Sequence, residues 1–299
     1  MIHNPAARNM RRDGPVIAAA LKTVFPRFTG MASPGRGHTA RLVRDALREG
    51  HTEIVAVGGD GTLNEAVNGF FEQGGPVNPE AVLNMVCTGT GDLAGRETGV
   101  AAALALAGQD ARPRDLGHVA CVTTEGRAAA RFFLGSASFG LTGDVARRAN
   151  RARILPMLSQ RLARDASELA ALAAWRGAHV RLIADHGQDE IDGISSVAVL
   201  NGARFGGGLK AAPEADPSDG QFDIAILGGA GRSSLRRAMA GLRAGQDAGL
   251  RLWRSTRLTA APTLETSSPV VVETDGEAVG QLPATFVMLP RAIRVRGGA

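Results

Sequence analysis

A strand, a glycine-rich turn and a helix follow one another repeatedly in the first third of the chain, and this succession constrains the fold most strongly. The apolar segments Glu53–Val57 and Ala81–Cys87 each end in a glycine-rich turn, and apolar residues recur with helical spacing over Val16–Val24 and Ala40–Leu47. Strands and helices that alternate in this way build a parallel sheet with helices packed on it. We therefore predict that the chain begins with an α/β domain.

The pattern changes from about Leu116 onward. Short apolar or β-branched segments separated by Gly, Asp and Pro then predominate, at residues 119–123, 130–134, 180–184, 195–200, 222–227, 270–274 and 285–289. Three helical segments interrupt them, at Asp144–Arg151, Ser159–Trp175 and Ser233–Arg243. This pattern predicts a second domain built on β-sheet with helical insertions. We place the boundary near Gly117, so that the two domains span residues 1–117 and 118–299.

Composition excludes several classes of protein. The longest apolar run, Val100–Ala107, is far shorter than the ~18 residues of a membrane-spanning helix. The two cysteines lie far apart, so neither a disulfide framework nor structural zinc is expected. Aromatic residues make up 4% of the chain and tyrosine is absent, which argues against a nucleic-acid partner. No signal peptide is visible at the start, so we expect a cytoplasmic protein.

The glycine-rich turn after the first of these strands has the composition of an anion site. Residues 58–65 read G-G-D-G-T-L-N-E and lead into a helical stretch. Glycines let the backbone N–H groups approach a ligand, and a helix N-terminus adds positive charge, so the turn would hold a phosphate. Asp60 could then hold a metal-bound water or orient a reacting hydroxyl. The alternative is an ordinary turn in which Asp or Thr caps the helix.

A second glycine-rich turn follows the next strand. Residues 89–96 read G-T-G-D-L-A-G-R, a weak match to the dinucleotide fingerprint, and the chain has no P-loop motif. Turns at the ends of neighbouring parallel strands converge on one crevice, where open α/β sheets bind ligands. One nucleotide that touches both turns is therefore simpler than two separate ligands.

Several motifs together resemble the diacylglycerol kinase catalytic-domain family, which includes bacterial lipid kinases and is related to sphingosine and ceramide kinases. They occur in order along nearly the whole chain: Asn4-Pro5, G-G-D-G-T-L-N-E-A-V-N-G at 58–69, G-T-G at 89–91, Asn201-Gly202, glycines 206–208, Pro213, Asp219-Gly220 and Asp275-Gly276-Glu277.

The resemblance implies an α/β ATP-binding domain followed by a mainly antiparallel β-sandwich domain, with the active site between them. In one alternative the last strand returns to the first domain. It implies a kinase that uses ATP and Mg²⁺ to phosphorylate a lipid hydroxyl. The implied ATP-binding residues are Asn4, Thr29, Gly58, Gly59, Asp60, Gly61, Thr62, Leu63, Asn64, Glu65 and Thr90. The implied metal ligands are Asp216, Asp219 and Gln221, the last through its backbone carbonyl, and Asp275 falls at the position of the proposed general base, with Asp60 a second catalytic candidate.

Local rules leave other interpretations open. Asp219-Gly220 and Asp275-Gly276 are each typical of a hairpin turn. The family usually has G-T-x-N-D-F-A-R at the second turn. This chain has Asp92, Leu93, Ala94 and Gly95 where the family has Asn, Asp, Phe and Ala. A nucleotide-binding protein without catalytic activity is therefore an alternative. A kinase with a soluble acceptor, like NAD kinases, and a dinucleotide-dependent oxidoreductase using residues 89–94 also remain.

A basic segment suggests how a lipid kinase could reach its substrate. Six arginines, at 147, 148, 151, 153, 161 and 164, surround the apolar residues 154–158. Such a segment favours peripheral association with an anionic membrane surface, although a solvated helix face is an equal alternative. We expect a lipid partner at a membrane surface, and a homodimer is left open. The sequence does not specify which lipid is used.

Overall fold

The computed structural model describes residues 1–5, 7, 10–89, 91–93, 97–152, 160–206, 208–228, 232–246, 249–263 and 269–298. Two compact units are present. The first consists of Met1–Leu116 with Pro290–Ala299, and the second is Gly117–Leu289. The predicted basic segment lies partly at 153–159, outside the described residues.

The helices and strands occur in the following order. The first part contains β1 (Ile2–His3), α1 (Met10–Val24), β2 (Met31–Ala32), α2 (His38–Arg48), β3 (Glu53–Gly58), α3 (Asp60–Gly69), β4 (Phe71–Glu72), β5 (Gly75–Pro76), β6 (Val82–Cys87), α4 (Gly99–Ala105) and a 3₁₀ turn at Leu106–Gly108. Then follow β7 (Arg112–Val122), β8 (Ala128–Phe133), β9 (Ser136–Gly140), α5 (Leu141–Ala152), α6 (Gln160–Ala174), β10 (Ala178–Ala184), β11 (Gly187–Ile194), β12 (Ser196–Leu200), β13 (Arg204–Phe205), β14 (Leu209–Lys210), β15 (Phe222–Leu227), α7 (Arg232–Ala244), β16 (Arg251–Ser255), β17 (Arg257–Pro262), β18 (Val271–Thr274) and β19 (Glu277–Arg296).

The first unit is built on a parallel sheet in the order β2-β1-β3-β6, with the end of β19 beside β6. Every residue of β6 is buried, as is usual where helices cover both faces of a parallel sheet. Helix α1 begins six residues earlier than predicted, because Met10 packs in the same core cluster as Ile17 and Leu21. Gly14 and Pro15 lie inside the helix.

A buried polar network attaches the end of β19 to this sheet. The Asn84 side chain is fully buried in β6 and donates to Glu53 Oε2 at 2.6 Å and to the Ile54 carbonyl at 3.3 Å. Its Oδ1 accepts a 2.8 Å hydrogen bond from Arg296. The parallel pairing of Arg294–Arg296 with Val82–Asn84 therefore has a side-chain anchor at its centre.

The second unit is an antiparallel β-sandwich. One layer runs β16-β15-β12-β9-β18-β19, and β10 pairs with β11 and β17, while β7 pairs with β8. Aromatic side chains fill the core between the strands, with Phe133 stacked on Phe222 and Phe139 stacked on Phe286. Helices α5, α6 and α7 contribute to a second apolar cluster with alternate residues of β12 and β15.

The predicted fold class, an α/β domain followed by a mainly antiparallel β-sandwich with helical insertions, is confirmed. The strand predicted at 285–289 was too short, because β19 extends over 277–296. The strands that were not predicted are β2, β4, β5, β9, β11, β13, β14, β16 and β17. Exposed arginines occupy parts of β16 and β17, so their sequences lack the apolar runs that marked the other strands.

None of the described helices has both the length and the apolar character needed to span a membrane.

The anchor of β19 can be tested by Asn84→Ala. The substitution removes three hydrogen bonds of a buried amide, and we expect the free energy of unfolding to fall by about 2 kcal/mol in urea titrations. Asp13→Asn removes a carboxylate from an exposed ion pair with Arg12 and serves as the control, because we expect no shift in its unfolding midpoint. An Asn84→Ala midpoint equal to the wild type would contradict the anchoring role.

Candidate functional site

Two glycine-rich loops meet at the carboxyl edge of the parallel sheet. We call residues Gly58–Gly61 the first loop and residues 88, 89 and 91–93 the second loop. Strands β3 and β6 pair in register up to Gly58 and Cys87, so both loops leave the sheet at the same level. The Thr88 N–H donates to the Gly58 carbonyl at 2.9 Å. The predicted convergence of the two turns is therefore confirmed.

The Asp60 carboxylate joins the two loops. Its Oδ2 accepts a hydrogen bond from the Asp92 N–H at 2.9 Å. A Cβ at Gly91 would lie 1.8 Å from the same oxygen, so only glycine fits there. Gly58 is constrained in a similar way by the Thr62 side chain, which would lie 2.6 Å from a Cβ. These two glycines are thus required by contacts within the protein.

Two other glycines of the loops, Gly59 and Gly89, have room for a side chain. Apart from the chain neighbours, no atom of the described residues lies within 4 Å of the position that a Cβ would take at Gly59 or at Gly89. Within the described residues, the N–H groups of Gly59 and Gly61 donate no hydrogen bond. Both lie at the N-terminus of α3, and no side chain caps this helix. The arrangement offers two unpaired N–H donors and the positive end of a helix, which suits a phosphate.

The second half of the G-G-D-G-T-L-N-E string, residues 62–65, contacts the rest of the first unit. Thr62, Leu63 and Asn64 are all buried. Glu65 accepts the N–H groups of Gly37 at 2.7 Å and Thr39 at 3.2 Å, and thereby caps the start of α2. The string therefore combines the first loop with buried residues of α3 and with Glu65, which holds the start of α2.

The remaining predicted ATP contacts have different placements. Asn4 follows β1 at the same edge as the loops, and its N–H donates to the Val57 carbonyl at 3.4 Å. Thr29 precedes β2, at the amino end of the sheet, where its carbonyl accepts the N-terminal ammonium of Met1. The structure therefore does not bring Thr29 to the loops. Thr90 lies outside the described residues.

Sequence reasoning missed the residue that does follow β2 at the loop edge. This residue is Ser33, whose N–H donates to the His3 carbonyl at 2.8 Å and whose hydroxyl donates to the Gly35 carbonyl at 3.1 Å. Strand β2 has only two residues, so no apolar run marked it. The turn residues Ser33-Pro34-Gly35 were the available signal.

Cys87 lies at the base of the second loop. Burial raises the pKa of its thiol to about 12, the negative charge of Asp60 adds to the rise, and a backbone hydrogen bond with Gly89 opposes it. The thiol therefore stays neutral near pH 7 and is no candidate nucleophile.

In the second unit, Asp275 is held by backbone amides. Its Oδ1 accepts the N–H groups of Gly135 and Ser136, and its Oδ2 accepts that of Leu134, each at 3.0 Å. The buried Asn201 braces the same segment, since its side chain donates to the Leu134 carbonyl at 2.9 Å. Asp275 has a positive φ of 45°, followed by Gly276 at 82°, in the hairpin between β18 and β19. Asp275-Gly276 thus forms the hairpin turn that local rules indicate, and three backbone N–H groups fix the Asp275 carboxylate.

The predicted metal ligands lie in an exposed loop before β15. Asp216 Oδ1 accepts the Ser218 N–H at 2.9 Å, and Asp219 Oδ1 accepts the Gln221 N–H at 2.9 Å. Asp219 Oδ2 forms an ion pair with Arg254. Burial raises the pKa of Asp223, Arg254 opposes the rise, and Asp219 adds to it.

Two carboxylates and a carbonyl oxygen fit Mg²⁺ in their chemistry. In the described part of the chain, no group of three or more His, Cys, Asp or Glu side chains is arranged as a metal site. The guanidinium of Arg254 already provides a positive charge beside Asp219. A metal ion at this loop would therefore have to share Asp219 with Arg254 or displace it.

Comparisons with known proteins agree with this architecture. The profile of the diacylglycerol kinase catalytic domain matches residues 1–119, and that of the YegS C-terminal NAD kinase beta sandwich-like domain matches residues 135–297. A Pseudomonas aeruginosa PAO1 protein named "Probable lipid kinase YegS-like" is 33% identical over 195 residues, which are 64% of this chain and 59% of that protein. The chain thus matches less than two thirds of that relative's length.

Two further matches cover more of the chain. A Mycobacterium tuberculosis H37Rv protein named "Diacylglycerol kinase" is 27% identical over 269 residues, which are 87% of this chain and 82% of that protein. A crystal structure of a diacylglycerol kinase from Bacillus anthracis str. Sterne superposes with a TM-score of 0.70 at 20% identity, over 99% of this chain and 94% of that one. The structural likeness shows a shared fold.

The link between the loops can be tested by Gly91→Ala. The added methyl group must displace Asp60 from Asp92, so we expect ATP affinity to fall by about 10-fold or more in calorimetric titrations. Gly75→Ala, at a glycine with open space around it, is the matched control and should bind ATP as the wild type does. Equal affinity of Gly91→Ala and the wild type would show that the Asp60 link does not shape a nucleotide site.

Proposed function

Since this chain belongs to the diacylglycerol kinase family, with a catalytic domain followed by a YegS-type C-terminal domain, we propose that it transfers the γ-phosphate of ATP to the hydroxyl group of a lipid at a membrane surface. The observation that carries the proposal is the pair of loops joined by Asp60, in which the N–H groups of Gly59 and Gly61 donate no hydrogen bond to the described residues.

The first unit would bind the nucleotide. Phosphate oxygens would accept the N–H groups of Gly59 and Gly61, and the positive end of α3 would stabilise their charge. Asp60 would act on the nucleotide through the loops. Its Oδ2 accepts the Asp92 N–H, and its carboxylate occupies the space that a Cβ at Gly91 would take. Phosphoryl transfer depends mainly on positioning and charge stabilisation, so a rigid cradle is the main requirement.

The second unit would orient the acceptor. Asp275 would accept a hydrogen bond from the lipid hydroxyl and take its proton as the new P–O bond forms and the bond between the γ-phosphorus and the bridging oxygen of ADP breaks. The three backbone N–H groups that surround this carboxylate stabilise its charge and fix its orientation. Such a group suits a loose transition state, in which the attacking oxygen needs orientation more than early deprotonation.

Mg²⁺ is part of the proposal. Asp216, Asp219 and the carbonyl of Gln221 would hold it, and when bound it would offset negative charge in the second unit. The closeness of the Asp219 and Arg254 side chains supports a site at which cations compete for one carboxylate.

The lipid nature of the acceptor rests on the relatives. Two proteins similar to this chain bear the names "Probable lipid kinase YegS-like" and "Diacylglycerol kinase". Diacylglycerol, phosphatidylglycerol and sphingoid bases each offer a hydroxyl group, so all three belong in the assay.

Asp275→Asn tests the acceptor role. Asparagine tolerates a positive φ, and its Oδ1 can still accept the N–H groups of Gly135 and Ser136, so the hairpin should form although the Leu134 N–H loses its acceptor. The loss of charge should lower kcat by about 10³-fold with lipid micelles and labelled ATP. Binding of ATP should be unchanged by calorimetry. Asp189→Asn, a surface carboxylate paired with Arg251, is the control and should keep full activity. A folded Asp275→Asn protein with wild-type kcat would refute the role of Asp275.

Arg254→Gln tests the metal proposal. Removing the competing guanidinium should lower the Mg²⁺ concentration for half-saturation by about 3-fold or more, because Asp219 and Asp223 lose a neutralising partner. Asp219→Asn should raise that concentration. Arg251→Gln, on the same strand but paired with Asp189, should leave it unchanged. Mg²⁺ titration by calorimetry without ATP provides the readout, and identical isotherms for all four proteins would place the metal elsewhere.

A further inference from the structure

A buried acid outside the predicted site lies just before the Asp275 hairpin. Glu273 is 2% exposed in β18, directly opposite Ser138 of β9. The pairing of β18 with β19 shifts register between Val272 and Glu273, a bulge of the kind that re-aims a side chain. A buried carboxylate costs several kcal/mol unless it is fully hydrogen-bonded, so its contacts need an explanation.

Both oxygens of Glu273 accept hydrogen bonds. The Ser138 hydroxyl donates to Oε1 at 2.6 Å, and the Gly276 N–H donates to Oε2 at 2.7 Å. Glu273 therefore holds the second residue of the hairpin turn that carries Asp275. The Asp275 N–H donates to the Ser136 carbonyl at 2.8 Å, so both residues of the turn are fixed through their backbone N–H groups.

The Ser138 hydroxyl belongs to a chain of hydrogen bonds that runs in one direction. Because its only proton goes to Glu273, Ser138 accepts from Thr142 Oγ1 at 2.7 Å, and Thr142 in turn accepts from Ser196 Oγ at 2.7 Å. The Ser196 oxygen accepts the Thr142 N–H at 3.1 Å. The shortest contacts therefore direct the hydroxyl protons of Ser196, Thr142 and Ser138 toward Glu273, and hydroxyls aligned in this way strengthen one another. The Phe139 carbonyl, at 3.4 Å, is a more distant acceptor for the Ser196 hydroxyl.

The same series of hydrogen bonds connects the hairpin to helix α5. Thr142 lies in the first turn of α5, and a Cβ at the next residue, Gly143, would lie 2.1 Å from the Val271 carbonyl. The start of the helix thus packs directly against β18, which keeps the Thr142 hydroxyl in reach of Ser138. A series of hydroxyl groups that leads to the Glu273 carboxylate therefore joins the hairpin turn to helix α5 and to strands β9 and β12.

We infer that Glu273 is a positioning residue for Asp275, and that the hydroxyls of Ser138, Thr142 and Ser196 align its carboxylate with the Gly276 N–H. This inference rests on the proposed role of Asp275. The turn has two residues in left-handed conformation, one of them not glycine, and such a turn persists only where its surroundings hold it.

Glu273→Gln tests the inference most sharply. The amide keeps an acceptor for Ser138 but sets an N–H₂ group against the Gly276 N–H, so the turn should shift. We expect kcat with lipid micelles to fall by about 10- to 100-fold, with KM for ATP unchanged. Glu168→Gln removes a carboxylate of the same unit that pairs with Arg243, and it should retain wild-type kinetics.

A matched pair at Thr142 separates the hydroxyl from packing. Thr142→Val keeps the shape and removes the hydroxyl, whereas Thr142→Ser keeps the hydroxyl and removes a methyl group. Positioning predicts a lower kcat for Thr142→Val and near wild-type kcat for Thr142→Ser. If Thr142 serves packing alone, Thr142→Ser should be less stable to heat than Thr142→Val, and the two folded variants should have equal kcat. Equal kcat would overturn the inference.

Hydrogen exchange provides a readout independent of turnover. In Glu273→Gln, the amides of Gly276 and of residues 134–136 should exchange about 10-fold faster, while those of β12 and β15 stay protected. If the wild type phosphorylates no lipid, the proposed function fails, and the exchange data still decide whether Glu273 holds the turn. Unchanged protection at Gly276 in Glu273→Gln would overturn the inference in either case.

Discussion

The hydrogen bond from the Asp92 N–H to Asp60 is the contact on which the proposed nucleotide site depends. Two loops that leave adjacent parallel strands are brought to one edge by the sheet, but the sheet does not set their spacing. A carboxylate at the start of α3, packed against a residue that has no side chain, does so. The negative charge of Asp60 is favourable at a helix N-terminus, so the same group can join the loops at little cost. Asp60 lies between Gly59 and Gly61, whose N–H groups donate no hydrogen bond to the described residues.

The second unit places its acids in the interior. Glu273, Asp275 and Glu277 are each less than a tenth exposed, although they occupy a hairpin turn and its flanks. Backbone amides and hydroxyl groups replace water around Glu273 and Asp275, which limits the cost of burial and fixes both side chains in orientation. Carboxylates held in this way need no rearrangement of solvent when a substrate binds. The acids at 216 and 219, by contrast, lie in an exposed loop.

Much of this arrangement could be predicted from the sequence, because apolar strands that end in glycine-rich turns have few structural alternatives. The convergence of the loops and the hairpin at Asp275-Gly276 followed from such local rules. Thr29 was placed at the site although it precedes β2, and Ser33 was overlooked, because a strand of two residues leaves no periodic signal. Glu273 was missed for another reason: a charged residue in an apolar strand indicates exposure, and only the three-dimensional contacts with Ser138 and Gly276 explain its burial.

The central claim, that a lipid hydroxyl receives the γ-phosphate of ATP, is tested most directly by following the label from γ-labelled ATP into competing acceptors. Purified protein with Mg²⁺ would be given diacylglycerol, phosphatidylglycerol and sphingosine in mixed micelles, together with NAD and short soluble alcohols, and the products would be separated by chromatography. The account predicts label in one class of lipid and none in the soluble acceptors. Label in NAD or a soluble alcohol alone, or no transfer by a protein that binds ATP, would contradict it.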